Sequence, residues 1–172
     1  DEVGAVVGGF TDMEYQGTAN HVLHCDVTSL YPSIMLVYKY LPKKDEIGVF
    51  PGLLSDLRTF RVKAKELARD AKDEEGRIYF NALQSTFKIL INSFYGYLGF
   101  QMAHFNDFSA ANQVTAKGRE LIQSAVAWLK AKDAKIIEVD TDGIYFVPPD
   151  NVKTAKDEEK LMDIALGAGA AD

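Results

Sequence analysis

Apolar residues along this chain change period several times, and each change marks an element. Val22 to Val27 (VLHCDV) is a short apolar run that ends on a carboxylate. The TSLYPS that follows carries Pro32 where the first turn of a helix accepts it, so the pattern predicts strand, turn and short helix. From Leu53 the positions Leu53, Leu57, Phe60, Ala64, Leu67 and Ala71 recur at steps of four and three, the stripe of a long amphipathic helix with Ser55 near its start. The polar, glycine-containing segment Asp73 to Gly76 (DEEG) reads as a turn, and beyond it Tyr79, Leu83, Phe87, Leu90 and Phe94 share a second helical side. Two antiparallel helices of roughly twenty residues follow, a hairpin about 30 Å long.

After the glycine-rich YGYLGF, Val114, Leu121, Ala125 and Trp128 trace a third, core-packed helix behind the candidate caps Asn106, Asp107 and Ser109. Lys135 to Val147 then reads as two strands, KIIEV and IYFV, joined through DTDG, where Asp142-Gly143 has the chemistry of a tight turn and puts carboxylates at the hairpin tip. Past Pro148-Pro149 the pattern predicts only a weak helix around Val152 to Ile164, and no internal repeat is visible.

Composition narrows the class. With 172 residues, 47% hydrophobic and 26% charged, the chain is long enough for one sizeable core, and no apolar run reaches the length of a membrane span or resembles a signal peptide. The expectation is an intracellular protein, of cytoplasm, nucleoid or nucleus according to its source, with no membrane partner. Cys25 is the only cysteine, which excludes an internal disulfide and argues against structural zinc. A net charge of -6 is not that of a free-standing nucleic-acid module, yet Arg58, Arg61, Lys63, Lys65, Arg69 and Lys72 are opposed locally only by Glu66 and Asp70, so an anionic ligand could dock there. The first residue, Asp1, and the small-residue tail suggest a piece of something longer.

The candidate chemistry lies in Asp26 at a predicted strand end and in Asp140 and Asp142 at the hairpin tip. Each alone is an ordinary cap or turn former. Carboxylates crowded at one site repel unless a cation joins them, and hard oxygen ligands select magnesium or manganese. A two-metal site suits phosphoryl transfer, since it activates an attacking hydroxyl and neutralises a leaving pyrophosphate without a protein nucleophile. His21 and His24 sit at an odd spacing that sends them to opposite faces of a strand, and they read as surface or packing residues.

Three motifs occur together and in order: DVTSLYPSIM at Asp26 to Met35, KILINSFYG at Lys88 to Gly96, and DTDG at Asp140 to Gly143. The chain resembles the family B DNA polymerases through their motifs A, B and C, the last in the Gly-bearing form of archaeal members, and the likeness runs almost end to end. Gly8-Gly9 resembles the family's linker beside the template, and Thr115, Gly118 and Arg119 (TAKGR) resemble its Thr-x-x-Gly-Arg segment; these are the DNA-binding positions the resemblance implies, together with Tyr95 and Gly96. It further implies that Asp26 and Asp142 bridge two magnesium ions, with manganese a possible substitute. The Val27 carbonyl is a further ligand and Asp140 assists. The incoming nucleotide is implied to meet Ser29, Leu30 and Tyr31, with Tyr31 a steric gate against a 2′-hydroxyl. Arg61, Lys65, Lys88 and Asn92 are implied to grip the triphosphate, and Tyr95 to pack on the nascent base pair. Two positions depart from the pattern: Val6 stands for the linker Tyr, and Glu138 for a Tyr two residues before Asp140.

The expected fold is α+β: a palm with an antiparallel sheet and packed helices, and a two-helix fingers hairpin. Residues 1–50 form the first part of the palm, 51–97 the fingers and 98–172 the rest of the palm. The expected activity is DNA-directed DNA polymerisation during replication or repair, with primer–template DNA and deoxynucleoside triphosphates as partners and exonuclease and thumb domains elsewhere in a parent chain. The competing readings are a nucleotide- or DNA-binding fragment, inactive without a thumb, and a cyclase-like transferase, for which the Lys88 to Gly96 motif has no purpose.

Overall fold

The computed structural model describes residues 6–152 and 154–168. Five helices and four strands are found among them: β1 (Thr11–Met13), β2 (Leu23–Asp26), α1 (Leu30–Val37), α2 (Val49–Asp70), α3 (Glu74–Leu98), α4 (Phe108–Ala131), β3 (Lys135–Asp140), β4 (Gly143–Val147) and α5 (Ala155–Ala168). They fall into two compact units. One holds Val6 and Tyr31–Val114; the other holds Val7–Leu30 with Thr115 onward.

The first unit is dominated by α2 and α3. Only Ala71 to Asp73 separate them, which forces the helices antiparallel, and the ring pairs Phe50–Phe94 (4.8 Å) and Phe60–Phe87 (6.0 Å) run in that sense. At 22 and 25 residues the helices measure about 33 and 37 Å. The DEEG segment is not the turn. Asp73 caps α3 by accepting a hydrogen bond from the Gly76 amide (2.7 Å), and Glu74 and Glu75 fill the first helical turn, where the macrodipole favours carboxylates. Helix α2 starts before the predicted Leu53, because Asp45 accepts from the Val49 and Phe50 amides (2.9 and 2.7 Å) and Gly48 enters at φ 74°, a left-handed conformation that glycine adopts without steric cost.

The heptad-like period of α2 is as predicted, and Leu57 and Ala64 are buried as expected, but the rest of the stripe is turned to one side of them. The buried stripe is Phe50, Leu54, Leu57, Arg61, Ala64 and Ala68, while the expected Leu53, Phe60 and Leu67 are 50%, 51% and 41% exposed. In α3, Ile91 and Leu98 are fully buried, whereas the expected Tyr79 and Leu90 are exposed. Both helices carry apolar residues on adjoining faces, and the face that wins in α2 includes Ala64 and Ala68, whose small side chains let the neighbouring helix approach.

In the second unit the four strands pair antiparallel throughout in the order β1-β3-β4-β2. Cys25, Ile136, Val139, Ile144 and Phe146 form its buried face, and Ile122, Ala125, Val126 and Leu129 of α4 are buried in the same unit. Strand β1 is too short and exposed to announce itself in the sequence. It is an edge strand, held to β3 over Thr11↔Asp140, Asp12↔Val139 and Met13↔Glu138. An irregularity between Ile136 and Glu138 leaves Ile137 as the extra residue, and its carbonyl accepts from both the Glu14 and Tyr15 amides. That extra residue lets Ile136 face the core while Glu138 and Asp140 face solvent. Among the described residues, no helix is long and apolar enough to cross a membrane.

Candidate active site

The acidic positions lie on the second unit, and strand register brings them to one end of its sheet. Asp26 pairs with Gly143 across β2–β4, and Gly143 pairs with Asp140 across β3–β4. Residues directly opposite in antiparallel strands project from the same face, so Asp26 and Asp140 flank a residue without a side chain. The Val27 amide donates to the Asp142 carbonyl (2.8 Å), extending the ladder one step past Asp26 and fixing Asp142 at the same corner. Asp26, Asp140 and Asp142 are all exposed.

The tip differs from the expected Asp142-Gly143 turn. Its two loop residues are Thr141 and Asp142, and Gly143 is already the first residue of β4. Thr141, a β-branched residue, sits at φ 51°, and the Asp142 amide donates back to the Asp140 carbonyl (2.5 Å), a three-residue turn about Thr141. The Thr141 amide donates to the Phe10 carbonyl (2.9 Å), which anchors this strained residue to the segment before β1. A conformation of this kind costs about 1–3 kcal/mol and needs its surroundings to hold it.

The donor set is three carboxylates and the nearby Val27 backbone, all hard oxygen, which fits magnesium or manganese rather than zinc. Among the described residues, however, no three His, Cys, Asp or Glu side chains are gathered as a metal cage. The carboxylates share a corner without converging on a point.

Cys25 lies between His24 and Asp26 on the opposite, buried face of β2. Burial pushes its thiol up from 9.0 to about 11; two backbone hydrogen bonds work against the rise and the Asp26 charge adds to it. A thiol held protonated on the core side supplies no ligand to the exposed face.

Ser29 stands at φ 57° and Leu30 is buried, so Leu30 can present only its backbone. Thr115 is 1% exposed and Gly118 is buried, whereas Arg119 reaches the surface and donates to the Gly8 carbonyl (2.7 Å) and the Val7 carbonyl (3.4 Å). Two segments singled out in the sequence are thus joined: the Gly8-Gly9 linker is tied to α4 by Arg119.

The remaining candidates lie on the first unit. Lys88 and Asn92 are exposed one turn apart on α3, and Tyr95 follows on the same face. Its ring meets that of Tyr31 with centroids 4.5 Å apart and planes tilted by 44°. Arg61 belongs to the buried stripe of α2 at 8% exposure, while Lys65, one turn on, is exposed. Gly96 has open space where a Cβ would stand.

The family model for DNA polymerase family B matches residues 37–156, a stretch that starts beyond Asp26 and includes Asp140 and Asp142. The chain is 31% identical over 180 residues to a DNA polymerase of Thermococcus sp. (strain 9oN-7), covering 91% of this chain and 23% of that protein. It is also 31% identical over 176 residues to DNA polymerase 1 of Pyrococcus abyssi (strain GE5 / Orsay), covering 90% and 23%. A solved family B DNA polymerase from the hyperthermophilic archaeon Pyrobaculum calidifontis is similar in fold, with a TM-score of 0.67 at 22% identity over 92% of this chain and 24% of that one. The class is that of helical proteins built on a small antiparallel sheet edged with carboxylates. Within it, this chain belongs to DNA polymerase family B, and it spans 23% of the length of the two curated relatives.

Proposed function

We propose that this chain is the palm and fingers core of a DNA-directed DNA polymerase, acting in replication or repair and adding deoxynucleotides to a primer 3′-hydroxyl. The observation that carries the reading is the cross-strand register at the acidic corner: Asp26 opposite Gly143, with the Val27 amide on the Asp142 carbonyl. Carboxylates separated by more than a hundred residues of sequence reach one sheet end. In this reading 1–50 and 98–172 form the palm and 51–97 the fingers.

Asp26 and Asp142 hold the metal ions with the Val27 carbonyl, and Asp140 assists from the neighbouring strand. Two magnesium ions, when bound, lower the pKa of the primer hydroxyl and neutralise charge on the departing pyrophosphate. Lys88, Asn92, Arg61 and Lys65 hold the triphosphate, and Ser29 and Leu30 offer it backbone groups. Tyr31 sits under the sugar, where its ring excludes a ribose 2′-hydroxyl, and the Tyr31–Tyr95 contact supports a shared role in checking the base pair. Gly96 lets the template base come close, and Gly8, Gly9 and Arg119 form a path for the DNA, to which the buried Thr115 and Gly118 contribute only by shaping α4.

Primer extension with magnesium and deoxynucleoside triphosphates tests the proposal. Asp26→Asn and Asp142→Asn are each expected to slow extension by on the order of 10³-fold, the loss seen when a group that offsets transition-state charge is removed. Extension that survives both substitutions contradicts the reading. Magnesium-dependent triphosphate binding without extension by the unaltered chain reassigns it as a nucleotide-binding module.

A further inference from the structure

His24 was set aside on sequence grounds as a surface or packing residue, and the structure gives it a specific place at the acidic corner. It lies on β2 two residues before Asp26 and therefore on the same, exposed face of the sheet. Its ring stacks flat on Tyr145 of β4, with centroids 4.0 Å apart and planes 10° from parallel, and Tyr145 is its cross-strand partner. The stack aims the imidazole edge along the strand towards Gly143: a Cβ built on Gly143 would stand 2.7 Å from His24 Nε2. No side chain fits at Gly143 while His24 keeps this position. The imidazole edge thus takes the space that a side chain on the middle residue of the Asp26–Gly143–Asp140 row would fill.

Adjacent strands lie about 4.8 Å apart, so Asp26 and Asp140 stand about 10 Å apart across Gly143. Two aspartates can close around one cation over that span only if the space above the intervening residue is clear. It is occupied, and no three ligating side chains are gathered there among the described residues. We infer that His24, clamped on Tyr145, is a positioning residue: its imidazole edge fills the space above Gly143 and keeps the Asp26 and Asp140 carboxylates from sharing a cation, which leaves Asp26 to pair with Asp142. The inference rests on the metal-site reading above. It assigns the corner its selectivity between two candidate partners for Asp26, and it gives Gly143 a steric reason to lack a side chain.

Manganese titration of the chain, followed by the electron paramagnetic resonance of the free aqua ion, tests this without recourse to catalysis. His24→Ala clears the space, lets Asp140 join Asp26, and is expected to tighten manganese binding on the order of tenfold, the scale on which neighbours of a metal site move its affinity. Asp140→Asn in the His24→Ala background is expected to remove the gain. His24→Phe keeps a ring stacked on Tyr145 and is expected to retain the original affinity, which separates filling of the space from a general effect on the sheet. Unchanged affinity in His24→Ala, with manganese still bound and still lost in Asp26→Asn, overturns the role of His24 and leaves the metal site standing. Absence of manganese binding in every variant overturns both.

Discussion

At the residue scale, the acids were legible because they stand in motifs. Asp26, Asp140 and Asp142 are single residues of a common type, and their meaning came from TSLYPS after the first and the Asp-Thr-Asp-Gly spacing of the others. The fold then accounts for how they reach one sheet end, through backbone register rather than through any property of the side chains. His24 shows the limit. Its spacing from His21 says which face of a strand it occupies, but not that the residue two strand positions away on the neighbouring strand lacks a side chain. Cys25 is the counterpart on the core side. Burial raises its thiol to about 11, so at pH 8 it should resist an aromatic disulfide reagent in the folded chain and react promptly in urea; rapid labelling of the native chain would contradict its burial. Because the folded state holds the proton more tightly, this thiol's contribution to stability is complete below pH 9 and is lost as the pH rises towards 11. Chemical denaturation at pH 8 and pH 10.5, with Cys25→Ala as reference, measures that loss.

At the element scale, period was easier to read than phase. The sequence pattern identified both long helices, the third helix, and the hairpin of β3 and β4, since each has a strong repeat and a clear break. It misjudged which side of α2 is buried because Leu53, Phe60 and Leu67 offer an apolar face as persuasive as the one that packs. Only a partner helix decides between them, and single-sequence periodicity contains no partner. Caps were informative where the side chain could be matched to a donor: Asp107, one of the three candidates, accepts from the Ala110 amide (2.9 Å) and ties Lys43 to the start of α4 through its other oxygen (3.1 Å). β1 was missed because three exposed residues, Thr11, Asp12 and Met13, are too few to show an alternation. The revised packing makes its own prediction. Ile91→Ala, at a fully buried position of α3, should cost about 2–5 kcal/mol in urea unfolding, whereas Leu90→Ala, next to it and 44% exposed, should cost well under half as much. Equal costs would restore the phase read from the sequence.

At the scale of the whole molecule, the chain holds two compact units, with the acids on one and Tyr31, Tyr95, Lys88 and Asn92 on the other. The sequence reading sets a fingers segment, 51–97, apart from the palm, and the compact unit that contains this segment has wider borders, at Tyr31 and Val114. A polymerase reading assigns the first unit to the nucleotide and the second to the metals, and it is economical because each unit carries a separable part of the chemistry. With a net charge of -6, the proposed polymerase core would need phosphate contacts beyond the acidic sheet end to hold DNA, and the chain covers only 23% of the length of its two curated relatives. The claim on which the account depends is local: Asp26 and Asp142 together grip divalent cations. A crystal soaked with manganese and a deoxynucleoside triphosphate, measured at the manganese absorption edge, tests it directly. The account predicts anomalous peaks in contact with the carboxylates of both Asp26 and Asp142; manganese bound elsewhere, with those two carboxylates apart and unligated, would contradict it.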